Sequence, residues 1–194
     1  NLRIGLEQLD LDGSRMERSW IPDDLTVDDV LGDGPEGAFP ADCVAVALVG
    51  RTEFEPPDHA DFAAFGDQRL AEPTATDYDR EVIVPDDPAC FPGHDCGALV
   101  TLNDVRRENA LYAARFDLHK GYRWVGDEAL IARSWLDRTY EGEGGNTEIL
   151  QSYGVDVVMA MDDGDWVRFQ VVYAEVDVGF SIDEKDLVNC DFKS

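Results

Sequence analysis

Lysine is almost missing from this chain, which has only Lys120, Lys185 and Lys193 among its 194 residues. Bases of both kinds number 16 against 42 acids, for a net charge of −26. A surface so negative repels phosphate backbones and anionic headgroups and has few counterions to release from them, which argues against nucleic acid and anionic membranes as partners. The same excess strains a folded chain in dilute buffer. Salt relieves it, since the Debye length falls to about 3 Å near 1 M, so a marine or salt-loving source fits.

Long apolar runs are missing too. The longest is Cys43-Val44-Ala45-Val46-Ala47-Leu48-Val49, far short of the roughly 20 residues that a membrane-spanning helix needs. The chain opens Asn1-Leu2-Arg3 without methionine or an apolar leader, which reads as a removed targeting segment or a trimmed start.

Catalytic signatures are scarce. His59, His94 and His119 fall in no spacing that would place two of them on one zinc ion. No serine sits in a Gly-x-Ser-x-Gly elbow. Gly32-Asp33-Gly34-Pro35-Glu36-Gly37 spells a dinucleotide fingerprint, but Asp33 and Glu36 would repel a pyrophosphate, so the stretch reads as a loop. Asp10-Leu11-Asp12-Gly13 begins like a calcium loop, yet Arg15 stands where its glycine belongs and Ile21 where its last glutamate belongs. Asp162, Asp163 and Asp165 at a hairpin tip remain weak candidates for calcium, with solvated turn carboxylates as the plainer reading. Among 42 acids some pair always falls at a glycosidase-like separation, so carboxylate pairs, Glu141, Glu143 and Glu148 included, carry no information. No cofactor is expected, and catalysis is not the leading expectation.

Four cysteines are present, at 43, 90, 96 and 190. An even set in such a chain reads as two bridges. Pro92-Gly93 lets the chain double back between Cys90 and Cys96, which leaves Cys43 to pair with Cys190. Zinc on Cys90, His94 and Cys96 is the rival, at a spacing wider than usual. Oxidised cysteines imply a secreted, periplasmic or cell-surface protein.

The apolar pattern predicts strands at 2–6, 43–49 and 81–84, short helices at 22–31 and 58–65, and a loop over 67–80. Residues 103–120 carry a helix signature, with Asn103 as cap, Asp104 in the first turn, Val105, Leu111, Tyr112 and Phe116 near one face, and Lys120-Gly121 as a stop, while 109–118 also suit a strand. Residues 129–140 fit helix or strand, with strand preferred because the Gly-rich loop after Glu141 would return it to 147–161. The firmest element is a hairpin around Asp162-Asp163-Gly164. A three-residue loop with Gly164 left-handed sets Met161 opposite Asp165, Met159 opposite Val167, Val157 opposite Phe169, Val155 opposite Val171 and Tyr153 opposite Tyr173, making one face wholly apolar. Asp156 then lies diagonal to Arg168 on the other face. A two-residue loop would mix the faces.

Together these features predict one domain over 1–194 in the α+β class, an antiparallel sheet of five to seven strands with a C-terminal meander and one or two helices on one face. Such a sheet curved over a helix leaves room for a pocket. Trp124, Trp135, Tyr153, Trp166 and Tyr173, with Arg133 and Arg168 among them, are the candidate lining, core packing being the alternative, and Arg138 is expected to pair with neighbouring acids such as Asp137. The function expected is an acidic extracytoplasmic binding domain without catalysis, for a small apolar ligand or a protein partner. A structural subunit of a surface layer, filament or virion is second, and a carboxylate- or metal-dependent hydrolase third.

Overall fold

A computed structural model describes residues 16–18, 35, 43–69, 72, 74–108, 113–127, 129–161 and 164–178. The strand at 2–6, the helix at 22–31 and, apart from Pro35, the loop at 32–37 lie outside the described residues, as do Cys190, Asp162 and Asp163. Among those described, the elements are strands β1 (Met16–Arg18) and β2 (Val44–Thr52), helix α1 (Pro56–Ala64), then strands β3 (Ala75–Val84), β4 (Ala98–Glu108), β5 (Ala113–Val125), β6 (Ala129–Trp135), β7 (Tyr140–Glu141), β8 (Thr147–Ala160) and β9 (Trp166–Val178). All pair antiparallel in one sheet of order β1-β2-β9-β8-β6-β5-β4-β3, with β7 on β8. The class is α+β with a single described helix.

The hairpin forms in the expected register. Met159 opposes Val167, Val157 opposes Phe169, and Tyr153 opposes Tyr173. At the tip the Met161 amide donates to the Asp165 carbonyl at 2.8 Å, and Gly164 has φ +86°, the left-handed value a bulged three-residue turn needs. The apolar face packs as one cluster of Tyr153, Val157, Val167, Phe169, Val171 and Tyr173, with Cys43. Residues 129–135 run as the expected strand, between β5 and β8.

Residues 103–108 and 113–120 are strand, not helix. They belong to β4 and β5, whose buried residues alternate: Leu99, Thr101, Asn103 and Val105, then Ala114, Phe116 and Leu118. Asn103 caps nothing; fully buried, it donates to the Leu118 carbonyl at 2.8 Å and Thr101 Oγ1 at 3.1 Å while accepting from the Tyr78 hydroxyl at 2.5 Å. A polar residue satisfied from three strands outweighs its local preference for a helix start. Lys120-Gly121 is no stop either, because the bare Gly121 lies under the Trp135 ring, 3.6 Å from where a Cβ would stand. The loop expected over 67–80 ends at Thr74. Beyond it β3 carries Asp77, Asp79, Arg80 and Glu81 at one end of the strand order, charges that protect an edge.

Helix α1 starts at Pro56-Pro57, with the Glu55 amide donating to Asp58 Oδ2 at 3.0 Å, which gives a first-turn amide its partner. Its last carbonyls are held from outside. Gln68 Nε2 donates to the Phe62 and Phe65 carbonyls, and Arg80 on β3 donates to those of Ala63 and Phe65 at 2.6 Å each. A cation at this end complements the helix dipole. Ala60 and Ala63 pack with Phe91, Leu99 and Leu130.

Cys90 and Cys96 form the expected disulfide, Cα atoms 5.5 Å apart. Its loop seats the buried Phe91, whose carbonyl accepts from Trp124 Nε1 at 2.9 Å, while the His94 ring stacks on Trp124 at 3.8 Å.

Candidate functional site

Between α1 and the sheet lies a cavity of about 1140 Å³, large against the roughly 300–1,000 Å³ of common ligand pockets and far above the voids of a packed core. Strand alternation builds its floor. The apolar wall is Phe116 and Leu118 from β5, Leu130 from β6, Val158 from β8 and Val172 and Val176 from β9, and Phe54 and Phe62 come from the helix side. Ala132, Gly154 and Ala174 leave the middle low.

Two polar islands interrupt the wall. In one, Arg168 donates to Asp156 through Nε at 3.0 Å and Nη2 at 2.5 Å, and Gln170 Nε2 donates to the same carboxylate at 3.0 Å. His59 on α1 faces this group with its Nε2 buried and without a hydrogen-bond partner. Burial, then the nearby Arg168, depresses its pKa below the ordinary 6.5, so the ring is neutral at pH 7. In the other island Glu72 accepts from Lys120 Nζ at 2.6 Å and Arg107 Nη2 at 2.5 Å. Burial pushes the Glu72 carboxyl upward, but the two cations outweigh it and hold its pKa at about 2. Arg107 also lies over the Phe116 ring, 5.4 Å from its centroid, a cation–π placement.

Of the residues the sequence pointed to, Arg168 stands in the cavity, and Arg133 and Tyr153 border it. By register Arg133 opposes Val155 and Tyr153 opposes Tyr173, so both side chains point to the far face. Arg133 Nε is buried without a partner, and burial followed by the neighbouring Arg123 lowers the guanidinium's pKa. Tyr173 packs in the far-face cluster and Trp135 packs against it, stacked on His119 at 5.3 Å. Trp124 seals the disulfide loop, and Trp166 is half-buried where β9 meets β2. Arg138 pairs with Asp117 and lies over Tyr140. At the hairpin tip Asp165 pairs with Arg51. Among the described residues no group of three or more metal-capable side chains converges, and no helix is long and apolar enough to cross a membrane.

Glu72, Ser134, Gly154 and Gln170 were not singled out from the sequence, and His59 and Lys120 were considered only as a zinc ligand and a helix stop. The one local sign was Gly154, a glycine inside an apolar strand, which marks a bulge or a close approach.

No protein-family model and no curated protein matches the chain. Its fold is similar to a STAR-related lipid transfer protein (fragment 25–204) from Xanthomonas axonopodis, with a TM-score of 0.46 and 14% identity over 81% of this chain and 82% of that one. It is also similar to the human StarD13 (DLC2) lipid transfer and protein localization domain, with a TM-score of 0.40 and 9% identity over 73% of this chain and 66% of that one. For human STARD10 the TM-score is 0.42 and the identity 11%, over 76% of this chain and 56% of that one. Likeness of this degree assigns neither a family nor a ligand.

Proposed function

We propose that the chain is a non-catalytic binding domain, one helix covering one face of its sheet, that holds a small, largely apolar ligand in the space between them. The cavity of about 1140 Å³ carries this reading, because a core that served stability alone would close over such a volume. The islands suit positioning better than proton transfer, since each carboxylate is already engaged, Asp156 by Arg168 and Gln170 and Glu72 by Lys120 and Arg107. An apolar body with one hydrogen-bonding end fits a wall of this composition.

Native mass spectrometry and titration calorimetry against neutral apolar probes of about ten carbons test it. Saturable one-to-one binding, weakened by Arg168→Met or Val158→Trp, is expected. No binding by any probe, or binding that a tryptophan in the cavity floor leaves untouched, overturns it. A location outside the cytoplasm belongs to the same proposal and is supported by the Cys90–Cys96 bridge; intact mass with a thiol-reactive reagent on untreated protein checks it, and modification of both residues would refute it.

A further inference from the structure

We propose that the ligand carries one carboxylate, seated against the Lys120 ammonium and the Tyr122 hydroxyl, with its apolar body running along the cavity wall from there. This rests on the reading of the cavity as a ligand site and adds the chemical class of the ligand and the end at which it is held.

Lys120 and Tyr122 stand two apart on β5, so their side chains share one face of the sheet, and both line the cavity. The Lys120 side chain is only 12% exposed, and its ammonium has three hydrogens to place. One goes to Glu72 Oε1 at 2.6 Å. The other Glu72 oxygen takes Arg107 Nη2 at 2.5 Å, and Tyr78, which also stands near Lys120, directs its hydroxyl to Asn103. No other described group accepts a hydrogen bond from Lys120. Burial disfavours the ammonium's charge, but Tyr122, Glu72 and Tyr78 outweigh it and raise the pKa above the ordinary 10.5. A charged group is therefore held on the cavity side with most of its donor capacity unspent, which is costly away from bulk water.

The Tyr122 hydroxyl is unspent as well. Its ring meets the buried Phe91 edge-on at 6.4 Å, which fixes the side chain, while the hydroxyl has no hydrogen-bond partner among the described residues and is not itself buried. This corner thus offers donors. A carboxylate consists of acceptors only, and its bonds from an ammonium are roughly twice as strong as neutral ones. An alcohol can accept from the same two groups but gains no charge assistance, and an amine would add a third cation to Lys120 and Arg107. The other island turns a carboxylate away, because Asp58 and Asp156 stand around His59 there. Phe116 and Leu118 on the same face of β5, with Leu130 on β6, continue the wall from Lys120 and suit the apolar body.

Decanoate and decan-1-ol, equal in carbon number but different in charge at about pH 8, are compared by titration calorimetry on the unmodified chain. Decanoate is expected to bind about tenfold more tightly. Tyr122→Phe keeps the ring against Phe91 and should weaken decanoate several-fold while changing decan-1-ol less than about twofold. Lys120→Met alone would strand Glu72, so the pair is removed together, and Lys120→Met/Glu72→Met should bind the two probes alike. With decanoate labelled with 13C at the carboxyl, NMR should show the bound carboxylate staying ionised to a lower pH than the free one, since a neighbouring cation favours the charged form. Equal affinity for the two probes, equal losses for both in Tyr122→Phe, or an unshifted bound carboxylate overturns the proposal while leaving the cavity reading standing. Failure of both probes to bind the unmodified protein overturns the two together.

Discussion

Strands β8 and β9 present two faces built from alternate residues of the same stretch, and the faces do opposite things. The odd residues Tyr153, Val157, Phe169, Val171 and Tyr173 are large, apolar and almost fully buried. The even residues Ser152, Gly154, Asp156, Gln170 and Ala174 are small or polar and stand along the cavity among Val158, Val172 and Val176. One face therefore supplies stability and frees the other from having to. The Asp156 carboxylate can stand on the second face because Arg168 and Gln170 both donate to it.

Truncating one residue on each face tests this division most directly. Phe169→Ala should cost about 3–5 kcal/mol in chemical denaturation, whereas Gln170→Ala, one position on, should cost less than about 1 kcal/mol. Similar values would abolish the contrast. The Glu72 island should behave like a buried structural pair despite its place on the cavity side. Its folded pKa of about 2 lies below the ordinary 4.5, so its stabilisation, on the order of 3 kcal/mol, is whole above about pH 5 and lost as pH falls through 4 toward 2. The gap in stability between wild type and Glu72→Gln should accordingly close over that interval when denaturant midpoints are followed against pH.

Asp156→Ala should cost about 1–2 kcal/mol, since the partly exposed Arg168 can turn to water, but should weaken ligand binding more than it lowers stability. The smallest effect expected is that of salt. Adding NaCl should raise the thermal midpoint by a few degrees through screening of the −26 net charge, and should do so equally in variants of either face.

The packed face was legible in the sequence because alternation of large apolar residues fixes a register and a one-residue slip would spoil it. The hairpin from Tyr153 to Tyr173 was readable residue by residue for that reason, and the Cys90–Cys96 loop because turn chemistry is local. Residues 103–120 were misread because Val105 and Phe116 also suit a helical stripe. What decides them is Asn103, whose partners Tyr78 and Leu118 come from other strands. The cavity face was harder still. Arg168 and Asp156 were seen as a diagonal pair, but alternation cannot say which side of a sheet a helix will cover, and aromatic residues drew attention to the side that packs. His59 and Lys120 join the site through contacts distant in sequence. Gly154 carried the one local sign, a glycine within an apolar strand.

Arg80 has a kinetic consequence. It reaches from the terminal strand β3 to the last carbonyls of α1, so the helix beside the cavity is tied to the rim of the sheet by a side chain outside the cavity's lining. On the proposed reading, replacing it is expected to speed a ligand's arrival and departure alike while leaving their ratio nearly constant.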